Sequence, residues 1–255
     1  MKAIILAAGY ATRLYPLTLN TPKPLLMIGH QTILDHLLDR LAHFSELDAV
    51  YVVTNSKFAP HFSAWMKQCE EESRWSYALK VIDDGTSSND TRLGAIADIQ
   101  FVIEGEQVDD DLVVAAGDNV FQIDFAELYR FFQQKGSDVI LAQHLNDPAR
   151  LRQRGVVQFD DQSRVIGFEE KPQHPRSEYV CPALYLHRQE NIHYYRQYLL
   201  EGGNPDAPGH FIRWYYSRVQ LFAFLMSIPA IDIGTLETYE RVKQQMTQND
   251  GLTLF

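Results

Sequence analysis

Apolar and polar positions follow two recurring patterns along the chain. In the first, short runs are apolar throughout, as in Ile4 to Ala8, Val50 to Val53 and Leu112 to Ala116. Such runs are typical of parallel strands that are buried on both faces of a sheet. In the second, apolar residues recur every three or four positions, as in Ile33 to Leu41 and Phe125 to Gln134. This spacing predicts amphipathic helices.

Strands and helices of these two kinds alternate through the first half of the chain. Further strands are predicted at Leu79 to Ile82 and Val139 to Ala142, and further helices at Phe58 to Cys69 and Arg92 to Ile103. This alternation implies right-handed βαβ units. We therefore predict an α/β fold with a Rossmann-like, mostly parallel sheet and helices on both faces. Its ligands should bind beyond the carboxyl ends of the strands.

The second half of the chain changes in character, because short apolar runs are separated by polar turns. These runs are Gly155 to Phe159, Arg164 to Phe168, Tyr179 to Leu186, Gln220 to Met226 and Pro229 to Ile233, and a last helix is predicted at Leu236 to Met246. Asp160 to Ser163 has the composition of a hairpin turn. We predict a small antiparallel β insertion at residues 145–187 within a single domain of residues 1–255, followed by a last strand pair.

Composition and charge narrow the class of protein. With 255 residues and 45% hydrophobic content, the chain can bury a full core. Its net charge of −10 argues against nucleic-acid and membrane partners, because both need broad positive fields. Cys69 and Cys181 lack metal-ligand spacing, which favours reduced thiols in a cytoplasmic protein. We expect no secretory signal or membrane span, since no run approaches the ~18 apolar residues of a membrane helix.

Against this acidic background, the amino-terminal segment is locally basic. From Met1 to Leu34 there is no Asp or Glu, while Lys2, Arg13 and Lys23 are present. Gly9 and the small residues Ala11 and Thr12 leave the backbone accessible to a ligand. The loop lacks the Gly-Lys-Ser/Thr ending of a Walker A motif and the spaced glycines of a dinucleotide-binding loop. The segment therefore predicts a phosphate loop of another kind.

Acidic residues follow two later strands. Asp118 stands between Gly117 and Asn119 at the end of a buried strand, where a carboxylate can hold a divalent cation between phosphates or merely cap a turn. Asp232 precedes a Gly-containing transition to a helix, where it can bind a metal or serve as an N-cap. The polar segment Asp83 to Thr91 fits a solvated connection or a nucleobase loop equally well.

Considered together, these segments resemble the sugar-1-phosphate nucleotidyltransferases, such as glucose-1-phosphate thymidylyltransferases, and the related phosphocholine cytidylyltransferases. The resemblance covers nearly the whole chain. The matching motifs are Ala8 to Thr18, Pro22-Lys23-Pro24-Leu25, Gly117-Asp118-Asn119, Gly155-Val156-Val157, Glu169-Glu170-Lys171-Pro172 and Asp232-Ile233-Gly234-Thr235. They imply a fold of the nucleotide-diphospho-sugar transferase type. They also outweigh the cap and surface-charge interpretations of the same residues taken singly.

The resemblance implies a transfer of a nucleotidyl group. A phosphate oxygen of the acceptor attacks the α-phosphorus of a nucleoside triphosphate in line, with Mg2+ as cofactor, and pyrophosphate leaves. The implied catalytic residues are Arg13 and Lys23, and the implied metal ligands are Asp118 and Asp232. Nucleotide binding is predicted at Leu6, Ala7, Ala8, Gly9, Tyr10, Ala11, Thr12, Asp84, Gly85 and Asn89. Acceptor binding is predicted at Asn119, Gly155, Glu169, Glu170 and Lys171.

Departures from the family pattern leave the substrates open. Ala8 and Ala11 stand where thymidylyltransferases usually have glycine, Tyr10 is bulkier than usual, and the Asp84 to Arg92 loop lacks the Gln and Gly pattern that reads thymine. The acceptor can be a sugar 1-phosphate, phosphocholine or another phosphorylated alcohol. A non-catalytic nucleotide or nucleotide-sugar binding protein is a further alternative, although such a protein is expected to lack Arg13 or a metal acid.

Two expectations concern the size of the protein and of its assembly. The chain ends soon after the helix predicted at Leu236 to Met246, so we expect no carboxyl-terminal acyltransferase domain. Members of the family are often dimers or tetramers, which makes a homo-oligomer possible.

A dinucleotide oxidoreductase is disfavoured, because the glycine fingerprint is missing.

Overall fold

The structure, a computed structural model, describes residues 1–248. The strands are β1 Lys2–Leu6, β2 Met27–Ile28, β3 Gln31–Thr32, β4 Ala49–Thr54, β5 Ala78–Asp83, β6 Leu112–Ala116, β7 Asn119–Val120, β8 Asp138–His144, β9 Gly155–Phe159, β10 Val165–Glu170, β11 Tyr179–Val180, β12 Leu184–His187, β13 Leu221–Leu225 and β14 Ile231–Asp232. The helices are α1 Ile33–Leu41, α2 Ala59–Glu71, α3 Ala95–Gly105, α4 Phe125–Lys135, α5 Pro148–Leu151, α6 Tyr194–Leu200, α7 Pro208–Tyr215 and α8 Leu236–Gln248. Residues 249–255 of the predicted single domain lie outside the described part. Within the described part, no helix combines the length and the apolar character that crossing a membrane requires.

One ten-stranded sheet forms the centre of the protein. Its order is β10-β9-β11-β8-β12-β6-β1-β4-β5, and β13 pairs in parallel with β8. β6, β1, β4 and β5 are parallel neighbours, so that Ile4 lies opposite Val114 on one side and Tyr51 on the other. β12 runs antiparallel between β6 and β8. The predicted mostly parallel sheet is therefore confirmed.

Two predicted strand arrangements need correction. The predicted insertion at 145–187 includes Leu184–His187, but these residues form β12 inside the main sheet, where all four are buried. The antiparallel edge consists of β9, β10 and β11. The last two strands do not form the predicted pair, because β13 completes the main sheet beside β8 while β14 pairs with β7. This second pairing brings a late part of the chain to the edge of the sheet where β6 ends.

Helices cover both faces of the sheet and enclose two large hydrophobic cores. Side chains of α1, α2 and α4 pack in one core, and those of α3, α6 and α7 in the other. β1 contributes to both, because Ala3 and Ile5 face the first core and Ile4 faces the second. A strand in this position needs apolar residues at every position, as its sequence predicted.

Helix α1 begins at Ile33, as predicted, because Thr32 and Asp35 form a capping box. The Thr32 hydroxyl accepts a hydrogen bond from the Asp35 N–H at 3.0 Å, and the Asp35 carboxylate accepts one from the Thr32 N–H at 2.8 Å. Asp35 also pairs with Arg74 at 2.9 Å and is only 4% exposed. The buried carboxylate thus fixes both the start of the helix and its contact with the next segment.

A second buried carboxylate connects β8 to the helices on the other face. Asp138 is fully buried and accepts hydrogen bonds from the Arg188 N–H at 2.8 Å, from Asn191 Nδ2 at 2.9 Å and from the Tyr215 hydroxyl. His187 Nδ1 lies 2.8 Å from the same carboxylate. Although burial opposes the charge, these contacts together hold the pKa of Asp138 below its usual range. The charge of Asp138 is therefore part of the folded state.

Asp138→Asn is expected to lower the free energy of unfolding by about 3 kcal/mol at pH 7, because the amide cannot accept all of these hydrogen bonds. The lowered pKa stabilises the fold above the ordinary carboxyl value of 3.8, and this contribution is lost as the pH falls below it. The free energies of unfolding of the parent protein and of Asp138→Asn, measured with urea at pH 7 and below pH 3.8, should therefore differ less at the lower pH. Asp124→Asn, an exposed helix cap where Asn serves equally well, is the control and should change stability by less than about 0.5 kcal/mol.

Candidate active site

The loop after β1 lines a cavity at the carboxyl edge of the sheet, which we call the nucleotide cavity. Its volume is about 390 Å³, and the loop residues that line it are Leu6, Ala7, Ala8, Gly9 and Ala11. Ala11 has a left-handed backbone with φ 47°, and its carbonyl accepts a hydrogen bond from the Thr18 hydroxyl at 2.8 Å. A Cβ atom at Gly9 would meet no protein atom within 4 Å. The loop therefore presents backbone and small side chains to open space that a ligand can occupy.

Two of the predicted nucleotide-binding residues of this loop do not line the cavity. The side chain of Tyr10 points into the core, where it is 7% exposed and its ring centroid lies 6.2 Å from that of Phe58. Burial raises the pKa of the Tyr10 phenol. Thr12 is exposed and begins a short 3-10 helix. Tyr10 thus anchors the loop to the core, and its bulk takes no space from a ligand.

The second predicted nucleotide-binding segment is divided in the same way. Asn89 lines the nucleotide cavity, whereas Asp84 and Gly85 do not. Asp84 is buried, and its Oδ1 accepts hydrogen bonds from the Thr86 N–H and hydroxyl, both at 2.7 Å. Gly85 lies in an exposed turn with φ 78°, a backbone that favours glycine. Asp84 and Gly85 thus contribute to the conformation of the loop without lining the cavity.

The start of α3 adds lining residues that the sequence analysis missed, among them Arg92, Gly94 and Asp98. The helix begins at Ala95, later than predicted, because Gly94 has φ 97° and cannot continue a helix. Asp98 is only 5% exposed. An acid inside the otherwise apolar segment Ala95 to Ile99 was the available signal, since a buried carboxylate needs a reason to be there.

Lys23 joins the two predicted metal-binding acids. Its Nζ lies 2.7 Å from Asp118 Oδ2 and 3.7 Å from Asp232 Oδ1, and the residue is 5% exposed. The acids meet because β14 pairs with β7, which sets Asp232 opposite Asn119. Arg154 provides a second cation, with Nη1 at 2.8 Å from Asp232 Oδ2. Two carboxylates and two cations therefore form one cluster beyond the carboxyl ends of β1 and β6.

The two acids can supply only part of a metal site. Within residues 1–248, no group of three or more His, Cys, Asp or Glu side chains could hold a metal ion. Mg2+ commonly uses one or two protein carboxylates and completes its shell with water and substrate phosphates. Asp118 and Asp232 fit that donor set, because both carboxylates approach the same ammonium group of Lys23 and phosphates in the adjoining cavity could supply the other ligands.

A second cavity, which we call the acceptor cavity, adjoins the first and has a volume of about 260 Å³. Three of the predicted acceptor residues, Asn119, Gly155 and Glu170, line it. Arg13 and Asp118 line both cavities. Arg13, a predicted catalytic residue, and Asp118, a predicted metal ligand, therefore lie where a ligand in one cavity would meet a ligand in the other.

Glu170 is held in the acceptor cavity by two glycines. Its side chain is 8% exposed, and a Cβ atom at Gly209, in the first turn of α7, would collide with its carboxylate. A Cβ atom at Gly155 would lie 3.2 Å from Glu170 Oε2 and 2.6 Å from the ring of Phe168. The absence of side chains at these two positions gives the carboxylate its place.

Glu169 and Lys171 do not line the acceptor cavity. Neighbouring residues on a strand point to opposite faces, and Glu169 Oε1 lies 3.7 Å from Arg176 Nε instead. Lys171 has φ 47° and a side chain that is 60% exposed, with Nζ at 3.7 Å from Glu170 Oε1. The structure thus separates the Glu169-Glu170 pair, which the sequence left undivided, and leaves Lys171 at the rim.

Other polar side chains that line the acceptor cavity were not predicted. They are Gln143, Arg150, Gln153 and Arg154. Three of them come from the segment around α5 that leads to Gly155. The signal in the sequence was the recurrence of arginine at every second position before that glycine. Its meaning depended on the way in which this segment folds back over the cavity.

Comparison with known proteins identifies the family that this chain matches. A family model described as nucleotidyl transferase matches residues 2–249. A Sulfolobus acidocaldarius protein provisionally assigned as a mannose-1-phosphate guanyltransferase is 34% identical over 194 residues, which cover 74% of this chain and 49% of that protein. The Streptomyces antibioticus glucose-1-phosphate thymidylyltransferase is 29% identical over 188 residues, which cover 73% of this chain and 49% of that enzyme. The chain thus spans about half the length of these two curated relatives.

Solved structures show the same likeness in three dimensions. A Bacillus anthracis protein provisionally assigned as a glucose-1-phosphate thymidylyltransferase, crystallised with sucrose, matches with a TM-score of 0.79 at 25% identity and covers 100% of this chain and 98% of that one. A UDP-glucose pyrophosphorylase crystallised with UDP-glucose matches with a TM-score of 0.79, but at 14% identity it shows the fold alone. The fold type predicted from the sequence is confirmed.

The cation cluster generates a prediction about stability. Lys23→Met is expected to lower the free energy of unfolding by about 1–3 kcal/mol, because Asp118 then loses the ammonium group it pairs with and Asp232 keeps Arg154 alone among the cations of residues 1–248. Urea unfolding at pH 7 measures the loss. Lys80→Met removes an exposed pair with Glu106 and should cost less than about 1 kcal/mol. Equal losses in the two variants would mean that Lys23 does not compensate the acids.

Proposed function

Since the chain belongs to the nucleotidyl transferase family, we propose that it joins a nucleoside triphosphate to a sugar 1-phosphate and releases a nucleotide sugar and pyrophosphate. The observation that carries this proposal is the junction of the two cavities at Arg13 and Asp118. A triphosphate above the β1 loop and a phosphorylated acceptor beside Glu170 would meet at that junction. The proposal concerns the part of the protein that this chain represents.

The reaction needs positioning and countercharge more than it needs a base. An oxygen of the acceptor phosphate forms a bond to the α-phosphorus, and the bond from that phosphorus to the bridging oxygen of pyrophosphate breaks. Because a phosphate monoester loses its second proton near a pKa of about 6, the nucleophile is already ionised at neutral pH. The site must therefore hold two polyanions close together and in line.

Arg13 and Lys23 are proposed to bind the phosphates. Among residues 1–248, the Arg13 guanidinium has no ion-pair partner, and it lines both cavities. A guanidinium can donate to two phosphate oxygens at once and so can stabilise charge that develops on the transferred group. Lys23 already stands beside the acids at the junction and would contribute its charge to the triphosphate.

Asp118 and Asp232 are proposed to hold Mg2+. When bound, the ion would neutralise charge on the phosphates and draw them together. Arg154 bonds Asp232 and so fixes the direction of its carboxylate from the acceptor side. The acids and their two cations would then present alternating charges along the line on which the two substrates meet.

The acceptor cavity favours a sugar phosphate over phosphocholine. Asn119, Gln143, Gln153 and Glu170 line it, and such side chains hydrogen-bond sugar hydroxyls. Arg150 and Arg154 also line it and are suited to the acceptor phosphate, which the sequence analysis assigned to Lys171. A trimethylammonium group makes no conventional hydrogen bonds and would leave these polar side chains without partners.

The test is pyrophosphate release with Mg2+, measured over a grid of nucleoside triphosphates and phosphorylated acceptors. We expect turnover with at least one nucleoside triphosphate and a sugar 1-phosphate, and none with the unphosphorylated sugar. The nucleotide sugar should be identified by mass spectrometry. If no pair is turned over while nucleotides bind equally to the parent protein and to Asp118→Ala, the protein is a binding module and not an enzyme.

Arg13→Met and Asp118→Asn are each expected to lower kcat/KM about 100-fold or more, because each removes charge from the point of transfer. The measurement is steady-state pyrophosphate release with the best substrate pair. Arg130→Met is the matched control, since Arg130 is an exposed arginine on α4 that pairs with Asp124. It should stay within about twofold of the parent. Equal activity in all three variants would contradict the assigned roles.

A further inference from the structure

One carboxyl group at the nucleotide cavity has no role in the mechanism above. Asp98, in the first turn of α3, lines the cavity although it is only 5% exposed. Its Oδ1 is buried and meets no hydrogen-bond donor within residues 1–248. An acceptor in this state is costly unless another group supplies a proton to it.

The neighbour of Asp98 is a second buried acid, Asp84. Burial and then the negative charge of Asp84 raise the pKa of Asp98 to about 7, and a hydrogen bond between the two carboxyls contributes to the same shift. Asp84 directs one oxygen to Thr86, while its Oδ2 meets no protein donor. A single proton can satisfy the contact between the acids. Asp98 then still keeps an oxygen that can accept a hydrogen bond from a ligand in the cavity.

Most hydrogen-bond donors near Asp98 are already engaged. The first N–H groups of α3 donate to backbone carbonyls, from Ala95 to Asp206 at 3.4 Å and from Ile96 to Pro205 at 2.8 Å. Arg92 donates through Nε and Nη2 to the Asp206 carboxylate, at 3.1 and 2.9 Å, and through Nη1 to a backbone carbonyl. Gly94 packs tightly against the segment before α7, because a Cβ atom at this position would lie 2.6 Å from the Pro205 carbonyl oxygen.

The remaining polar group at this end of the cavity does not by itself select a donor or an acceptor on the ligand. Asn89 is exposed, and its amide can turn either oxygen or nitrogen to a ligand. The buried, fixed group is therefore an acceptor. Nucleobases differ in what they offer to an acceptor: adenine, cytosine and guanine carry an exocyclic amino group, whereas uracil and thymine carry carbonyl oxygens instead and can offer only the ring N3–H.

We propose that Asp98 is a specificity-determining residue that accepts a hydrogen bond from the exocyclic amino group of the nucleobase. The enzyme then uses adenosine, cytidine or guanosine triphosphate in preference to uridine or thymidine triphosphate. This inference rests on the proposed function and specifies the class of its nucleotide substrate. A carbonyl oxygen placed against Asp98 would be repelled and would leave the carboxyl unpaired, which is the strongest way for a buried polar site to reject an analogue.

The first test changes the ligand and needs no variant. Nucleotide binding by titration calorimetry, without acceptor, and kcat/KM for pyrophosphate release, with acceptor, are measured for matched pairs. GTP and ITP differ only in the 2-amino group, whereas CTP and UTP differ both at ring position 4 and in the proton that UTP carries on N3, and ITP also lacks the 6-amino group of ATP. We expect at least one amino-bearing triphosphate to exceed its partner by about tenfold or more in both measurements. A preference for UTP or dTTP would overturn the inference.

The second test changes Asp98. In Asp98→Asn the amide can donate to a carbonyl oxygen, so the preference for the amino-bearing nucleotide over its partner should fall by about tenfold or more and can reverse. The control is Asp35→Asn, another buried acid in the first turn of a helix, which lines neither cavity. It should lower the melting temperature while leaving the nucleotide ratio unchanged.

The outcomes separate this inference from the proposed function. If triphosphates are turned over and the ratio is the same in the parent and in a folded Asp98→Asn, Asp98 does not read the base and only the present inference fails. If Asp98→Asn does not fold, as judged by circular dichroism, the ligand pairs still decide it. If no triphosphate binds or reacts with any acceptor, the proposed function fails and the inference fails with it.

Discussion

The arrangement of the site depends on the contacts that the Lys23 ammonium group makes with two acids. It lies 2.7 Å from Asp118 and 3.7 Å from Asp232, two acids that come from distant parts of the chain. The pairing of β14 with β7 would otherwise bring two like charges together, which destabilises a fold. Lys23 and Arg154 allow the carboxylates to approach each other, and the same carboxylates keep both cations beside the cavities. Charge compensation thus serves stability and chemistry together.

The sheet explains why these groups meet at one edge. β1 and β6 are parallel neighbours, so the loop that follows β1 and the acid that follows β6 emerge side by side. Gly117 keeps them close, because a Cβ atom there would lie 3.1 Å from Ile5 Cγ2 and 3.2 Å from the Leu6 carbonyl oxygen. The loop proposed to bind phosphate and the acid proposed to bind the metal are therefore neighbours by topology.

Much of this could be predicted from the sequence, and the limits have physical causes. The apolar run of β6 and the spacing of α1 fixed their bounds, because each encodes a local periodicity. The placement of β12 within the main sheet could not be predicted, because pairing partners are set by long-range packing. In the site, the loops could be predicted but side-chain directions could not: Tyr10 turns into the core, and only one acid of the Glu169-Glu170 pair faces the acceptor cavity. Arg154 acquires its meaning only through its contact with Asp232.

The segment before α7 links the two cavities mechanically. Asp206 pairs with Arg92 at the nucleotide cavity, Pro208 lines both cavities, and Gly209 packs against Glu170 in the acceptor cavity. Carbonyls of the same segment receive the first N–H groups of α3. A shift of this short segment would therefore disturb Arg92 at the nucleotide cavity and Glu170 in the acceptor cavity at once. The two cavities thus share a wall as well as the junction at Arg13 and Asp118, and in the proposed reaction this segment would set the distance between the substrates, on which in-line transfer depends.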